Sequence, residues 1–116
     1  MYGQAPIEDI MRTFTDGCKA LFGERLYDVR LFGSYARGDY REDSDIDVMV
    51  IVDMDADEAK GYEDGVKTLE NGIDADFNYR YLLMPVLRSK ALYDKRSTFP
   101  GFYNNVLKEG ISYYVR

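Results

Sequence analysis

The chain has 116 residues, 46% apolar and 31% charged, with a formal charge of −6 and an isoelectric point near 4.6. This length and balance predict one domain over residues 1–116 with one core, and exclude a disordered or fibrous chain. The acidity argues against non-specific nucleic-acid binding, which needs Lys and Arg to neutralise phosphates.

The single Cys18 excludes an internal disulfide, and no apolar run approaches the roughly 20 residues that span a bilayer. The N-terminal residues lack the basic start and apolar stretch of a signal peptide, so a reducing cytoplasm is the expected setting. An acidic body suits a basic protein, or a nucleotide whose charge is screened by metal ions. The sequence contains no His, so proton transfer near neutral pH falls to a carboxylate, water or the substrate.

Ile7, Ile10, Met11, Phe14, Cys18 and Leu21 recur at helical spacing, predicting a helix from Pro6 to Phe22 that stops at Gly23. Leu26 to Phe32 alternates as a strand, with Tyr27, Val29 and Leu31 on one side and Asp28, Arg30 and Phe32 on the other. Ser34 to Arg37 fits one helical turn ended by Gly38, and a polar loop leads to a second strand, Asp45 to Val52. That strand is apolar on both faces except at its N-terminal end, where its charges lie. Asp55 followed by Glu58 has the form of a capping box.

Tyr62, Val66, Leu69, Ile73 and Phe77 then continue at steps of three and four, as one long helix would. A rival reading ends the helix near Gly72 and starts a strand at Ile73, with Asp74 and Asp76 on one face. Periodicity leaves both open. Tyr81 to Arg88 has strand composition, with Pro85 marking an edge or bulge. Phe102 to Glu109 fits a short helix before Gly110, and Ile111 to Val115 a last strand or docked tail.

The chemistry concentrates between Leu31 and Asp53. Gly33 and Ser34 close a strand with a tight turn whose N–H groups and hydroxyl suit an anion. Asp45 and Asp47, two apart on a strand, project from one face with Cα atoms roughly 6.5 Å apart. Two carboxylates about 4 Å apart repel by roughly 4 kcal/mol at an effective dielectric near 20, and a bridging cation relieves this. Mg²⁺ is commonly held by one or two carboxylates plus substrate phosphates. By contrast, Asp53-Met54-Asp55-Ala56-Asp57 has Glu58 where a calcium loop needs Gly, so it is read as the start of a helix.

Gly33-Ser34-Tyr35-Ala36-Arg37-Gly38 followed by Ser44-Asp45-Ile46-Asp47-Val48-Met49-Val50 resembles the signature of the DNA polymerase β-like nucleotidyltransferase superfamily. Within it, the chain is similar to the minimal, single-domain nucleotidyltransferases of bacteria and archaea, and the stretch from Pro100 to Ile111 resembles a common ending among them. The resemblance implies an α/β (α+β) fold, a mixed sheet with helices packed on one face. It also implies Mg²⁺, two ions, at Asp45 and Asp47, and ATP as substrate, with its phosphates at Gly33 and Ser34 and with Arg37, Arg41 and Ser44 alongside. Active members carry a third carboxylate on a neighbouring strand. Only Ile73-Asp74-Ala75-Asp76-Phe77 offers one, so the resemblance implies Asp76 or Asp74 as the third catalytic acid, with Asp76 the expected metal ligand.

The implied activity is transfer of a nucleoside monophosphate, AMP from ATP, to an acceptor such as a tyrosine of a helical HEPN-type toxin partner. Two alternatives stand beside it. One is an antitoxin-like binding module with the same fold and no turnover; the other is transfer to a small molecule of the aminoglycoside kind, which the short chain disfavours.

Overall fold

Ile46–Val52, the most continuously apolar strand of the sequence, occupies the middle of the sheet in the computed structural model, which describes residues 4–116. This strand, β2, is flanked by β1 (Leu26–Phe32), antiparallel to it, and by β3 (Leu83–Ser89), parallel to it. A final strand, β4 (Ile111–Val115), adds antiparallel to the free side of β1, giving the order β3-β2-β1-β4. The terminal segment therefore forms a strand. Pro85 lies on edge strand β3, where the missing N–H disrupts no interior ladder.

Helix α1 (Gln4–Phe22) buries Ile7, Ile10, Met11, Phe14 and Cys18 against one face of the sheet, opposite Ile46, Val48, Val50 and Val52. The amphipathic stripe of the first helix thus meets the in-facing residues of the central strand. A four-residue turn, α2 (Ser34–Arg37), follows β1 and ends at Gly38, whose φ of 87° suits glycine. Asp55 accepts a hydrogen bond from the Glu58 N–H (2.8 Å) and caps α3 (Ala56–Lys60).

The region after α3 resolves in favour of a helix. Helix α4 (Glu63–Asp76) contains Ile73 to Asp76, so the strand reading that placed Asp74 and Asp76 together does not hold. Val66 and Ile73 are buried, while Tyr62, Leu69 and Phe77 pack on the same core. Burial along this 3.6-residue stripe outweighs the weak helix propensity of Gly65 and Gly72. The single long helix is interrupted at Gly61 and Tyr62, between α3 and α4.

The second sheet face carries a smaller apolar cluster: Met49, Ile51, Tyr93 and Val106, with Tyr27, Phe32, Val86 and Tyr103 around it. Its helical members come from α5 (Lys90–Arg96) and α6 (Phe102–Glu109), so helices cover both faces of the mixed sheet and not one face as expected, because Met49 and Ile51 make the second face of β2 apolar too. Ser89 caps α5 by accepting from the Leu92 N–H (3.3 Å), a helix for which the sequence reading made no provision. Tyr27 belongs to this face and not, as strict alternation predicts, to the side of Val29 and Leu31. A register shift between Leu26 and Asp28 inserts one residue and turns Tyr27 over. Among the described residues, no helix is long and apolar enough to cross a membrane.

Candidate active site

The C-terminal end of β1 and the N-terminal end of β2 meet because the two strands are antiparallel, with Phe32 opposite Asp47. The turn leaving β1 and the aspartates entering β2 are thereby neighbours. Gly33 has φ 76° and ψ −155°, a region that side chains penalise strongly. A Cβ built there would also overlap the Asp47 carboxylate. Both facts require glycine at this position. The Gly33 carbonyl accepts from the N–H groups of Ala36 and Arg37 (both 3.1 Å), so those of Ser34 and Tyr35 precede the first bond of the turn.

Asp45 is exposed and Asp47 half-buried, on the face opposite α1. The Asp47 carboxyl is held above the ordinary carboxylate range, chiefly by desolvation, then by the negative charge of Asp45, with Arg37 acting in the opposite sense. A partly desolvated carboxylate repelled by a second one fits a divalent cation sharing substrate phosphates.

The remaining expected residues separate into those that join this end of the sheet and those that do not. Arg37 reaches Asp39 (3.2 Å) and Glu109 (3.3 Å), which fixes its guanidinium between the α2 turn and α6. The Arg41 side chain is exposed and forms no ion pair among the described residues. Ser44 is turned into its own loop, where its Oγ accepts from the Arg41 N–H at 2.8 Å and its N–H donates to the Arg41 carbonyl at 3.0 Å. Tyr35 and Tyr40 stack at 4.2 Å and 12°, pinning that loop.

Asp74 and Asp76 do not complete a carboxylate triad. Asp76 is exposed at the end of α4, while Asp74 is buried and accepts from the Leu83 N–H at 3.1 Å. Asp74 thus caps the start of β3 from the α1 side of the sheet, whereas Asp47 lies on the other side. No group of three or more His, Cys, Asp or Glu side chains among the described residues is arranged to hold a metal ion. The β3 residue in register with Asp47 is Met84, 46% exposed, where an acid would be needed.

Sequence reasoning missed the contribution of α6. Phe102, Asn105, Val106 and Glu109, spaced at three and four, line with Phe32, Gly33 and Arg37 a groove of about 220 Å³ beside the turn. The helical spacing was visible, but nothing local to it indicated the surface against which it folds.

The sequence model of the nucleotidyltransferase domain family matches residues 11–111. A Methanocaldococcus jannaschii protein named "Putative protein adenylyltransferase MJ0604" is 33% identical over 103 residues, covering 89% of this chain and 93% of its own. Among solved structures, one from Sulfolobus solfataricus described as a "putative nucleotidyltransferase" superposes with a TM-score of 0.54 at 21% identity, over 98% of this chain and 90% of that one. Another, described as a toxin-antitoxin with AMP-PNP, gives a TM-score of 0.52 at 18% identity, over 98% of this chain and 74% of that one. At these identities the two structures bear on the fold alone.

Proposed function

We propose, from the premise that this chain belongs to the nucleotidyltransferase domain family and is a transferase, that it moves AMP from ATP to a hydroxyl of a partner protein. The observation that carries the proposal is the abutment of the Gly33 turn on the Asp47 carboxylate, beside Asp45. It brings an anion-binding backbone turn and a cation-binding carboxylate pair to one point, as a metal–triphosphate complex requires.

In this reading the N–H groups of Ser34 and Tyr35 and the Ser34 hydroxyl hold the outer phosphates. Arg37 is held between Asp39 and Glu109, which offset its charge, so Arg41, which forms no ion pair among the described residues, is the cation proposed to meet the phosphates. Asp45 and Asp47 would hold Mg²⁺, which when bound screens the triphosphate and polarises the phosphorus under attack. The acceptor oxygen bonds to the α-phosphorus as the bond to the pyrophosphate oxygen breaks. With no His in the chain and, among the described residues, no third acid grouped with Asp45 and Asp47, the hydroxyl proton passes to water or to the substrate.

A protein acceptor is supported by the name of the relative at 33% identity; in this proposal the acceptor is a toxin, the kind of partner named in the description of one similarly folded structure. A helical HEPN-type toxin carrying the modified tyrosine fits this role. Met84 in register with Asp47, with no third carboxylate grouped there among the described residues, favours a second reading, in which the chain binds metal–nucleotide and neutralises its partner by contact without turnover.

The test is transfer of label from α-labelled ATP, with Mg²⁺, to protein in an extract of the source cells. Transfer that disappears in the Asp45→Asn, Asp47→Asn double variant supports the enzyme. Equal transfer by the double variant rejects these residues, and nucleotide binding without any transfer supports the contact reading.

A further inference from the structure

The groove beneath α6 opens directly from the phosphate turn, because Gly33 and Arg37 belong to both. Its floor is Phe32, in register with Asp47, and one wall is Phe102, half exposed and edge-on to Phe32 at 5.6 Å and 81°. Three residues further along α6, Asn105 faces the same groove, and its amide group makes no hydrogen bond among the described residues. Glu109, one turn beyond, is compensated by Arg37, so it does not set an unpaired negative charge beside a nucleotide.

We propose that this groove seats the base of the bound nucleotide, with Phe102 as its stacking surface and Asn105 as the residue that selects adenine. The inference rests on the nucleotide-binding reading above. An exposed aromatic ring stacks on any base, whereas a primary amide offers one donor and one acceptor side by side. Adenine presents the complementary pair, its exocyclic N–H and an adjacent ring nitrogen, and Asn is a recurrent bidentate partner for it. Guanine also sets an acceptor (O6) beside a donor (N1–H), but in the reverse order to adenine's N6–H and N1. An amide oriented for adenine therefore meets like groups on guanine, whereas a carboxylate accepts from guanine's N1–H and N2–H together. The small volume suits a flat ring, with the triphosphate lying outside at the turn.

The test compares binding of Mg²⁺ complexes of ATP, GTP and inorganic tripolyphosphate by calorimetry, in the wild-type chain and in Asn105→Ala, Asn105→Asp and Phe102→Ala. Both side chains are exposed, so folding is expected to survive, and circular dichroism checks it. Asn105→Ala lowers ATP affinity about tenfold and leaves tripolyphosphate unchanged, since only the bidentate base contact is lost. Asn105→Asp reverses the preference toward GTP, and Phe102→Ala weakens ATP and GTP alike. If wild type binds ATP and all three variants keep its affinity and base preference, the base lies elsewhere and the inference fails. If wild type binds neither ATP nor tripolyphosphate, the nucleotide-binding reading itself falls, and this inference with it.

Discussion

The backbone of Gly33 lies against the carboxylate of Asp47, so closely that a β-carbon at position 33 has no room. Two strands that run in opposite directions bring a turn and an acid into contact although 13 residues separate them, the numbers 33 and 47 enclosing positions 34 to 46. Gly33→Ala therefore strains a φ of 76° and displaces Asp47 together. The expected outcome is a loss of roughly 1–3 kcal/mol in denaturant unfolding. Metal-dependent ATP binding should fall by a larger factor than stability alone explains.

Ionised Asp47 opposes folding, first because burial desolvates it and then because the charge of Asp45 repels it. Because the Asp47 carboxyl is raised above its ordinary range, the native state favours its acid form, and this contribution to stability is lost as pH rises through the raised value. Asp47→Asn should raise the melting temperature in metal-free buffer at neutral pH and flatten the pH dependence across the carboxylate range. Added Mg²⁺ should stabilise the wild-type chain and leave the Asp45→Asn, Asp47→Asn variant unmoved, as thermal scans will show.

Asp74 predicts the opposite pattern. Its buried carboxylate accepts from the Leu83 N–H, so Asp74→Ala leaves a buried donor without a partner. A cost of about 1–3 kcal/mol follows, and Asp74→Asn, which keeps an acceptor oxygen, should recover much of it. Neither substitution removes a ligand from the Asp45 and Asp47 site, so nucleotide affinity measured on the folded fraction stays near wild type.

Met84 stands beside Asp47 in the parallel pairing and is accessible. Met84→Glu places a third carboxylate next to the pair on the same sheet face. Mg²⁺ affinity should increase several-fold by calorimetry, at the expense of stability when the metal is withdrawn, since a third negative charge then adds to the repulsion.

Burial pushes the Cys18 thiol up to about 12. Its contribution to stability is complete below the ordinary thiol value of 9.0 and is lost as pH rises toward the native value, because only the unfolded chain ionises in that window. Urea unfolding between those limits should show a steeper fall for wild type than for Cys18→Ala. The native thiol should react with a disulfide reagent only as fast as the chain opens.

What the sequence disclosed follows from how local each signal is. The α1 stripe, the β2 run, the Asp55 cap and the Gly38 stop are written within a few residues of each element, and each appears in the structure. Ile73 to Phe77 was ambiguous because five residues satisfy both a helical and a strand period, and packing on the α1 core decided between them. The groove under α6 was not legible at all. It arises from how the chain after β3 returns across the second sheet face, a long-range relation between Phe32 and Phe102 that no local window contains.

The central claim is that Asp45, Asp47 and the Gly33 turn hold a metal–nucleotide complex. Calorimetric titration of ATP with Mg²⁺ into wild type and into the Asp45→Asn, Asp47→Asn variant tests it most directly. Saturable binding by wild type that is lost in the folded double variant, and lost by wild type when Mg²⁺ is chelated, is the predicted result. Equal binding by both proteins, or binding indifferent to chelation, would contradict the account.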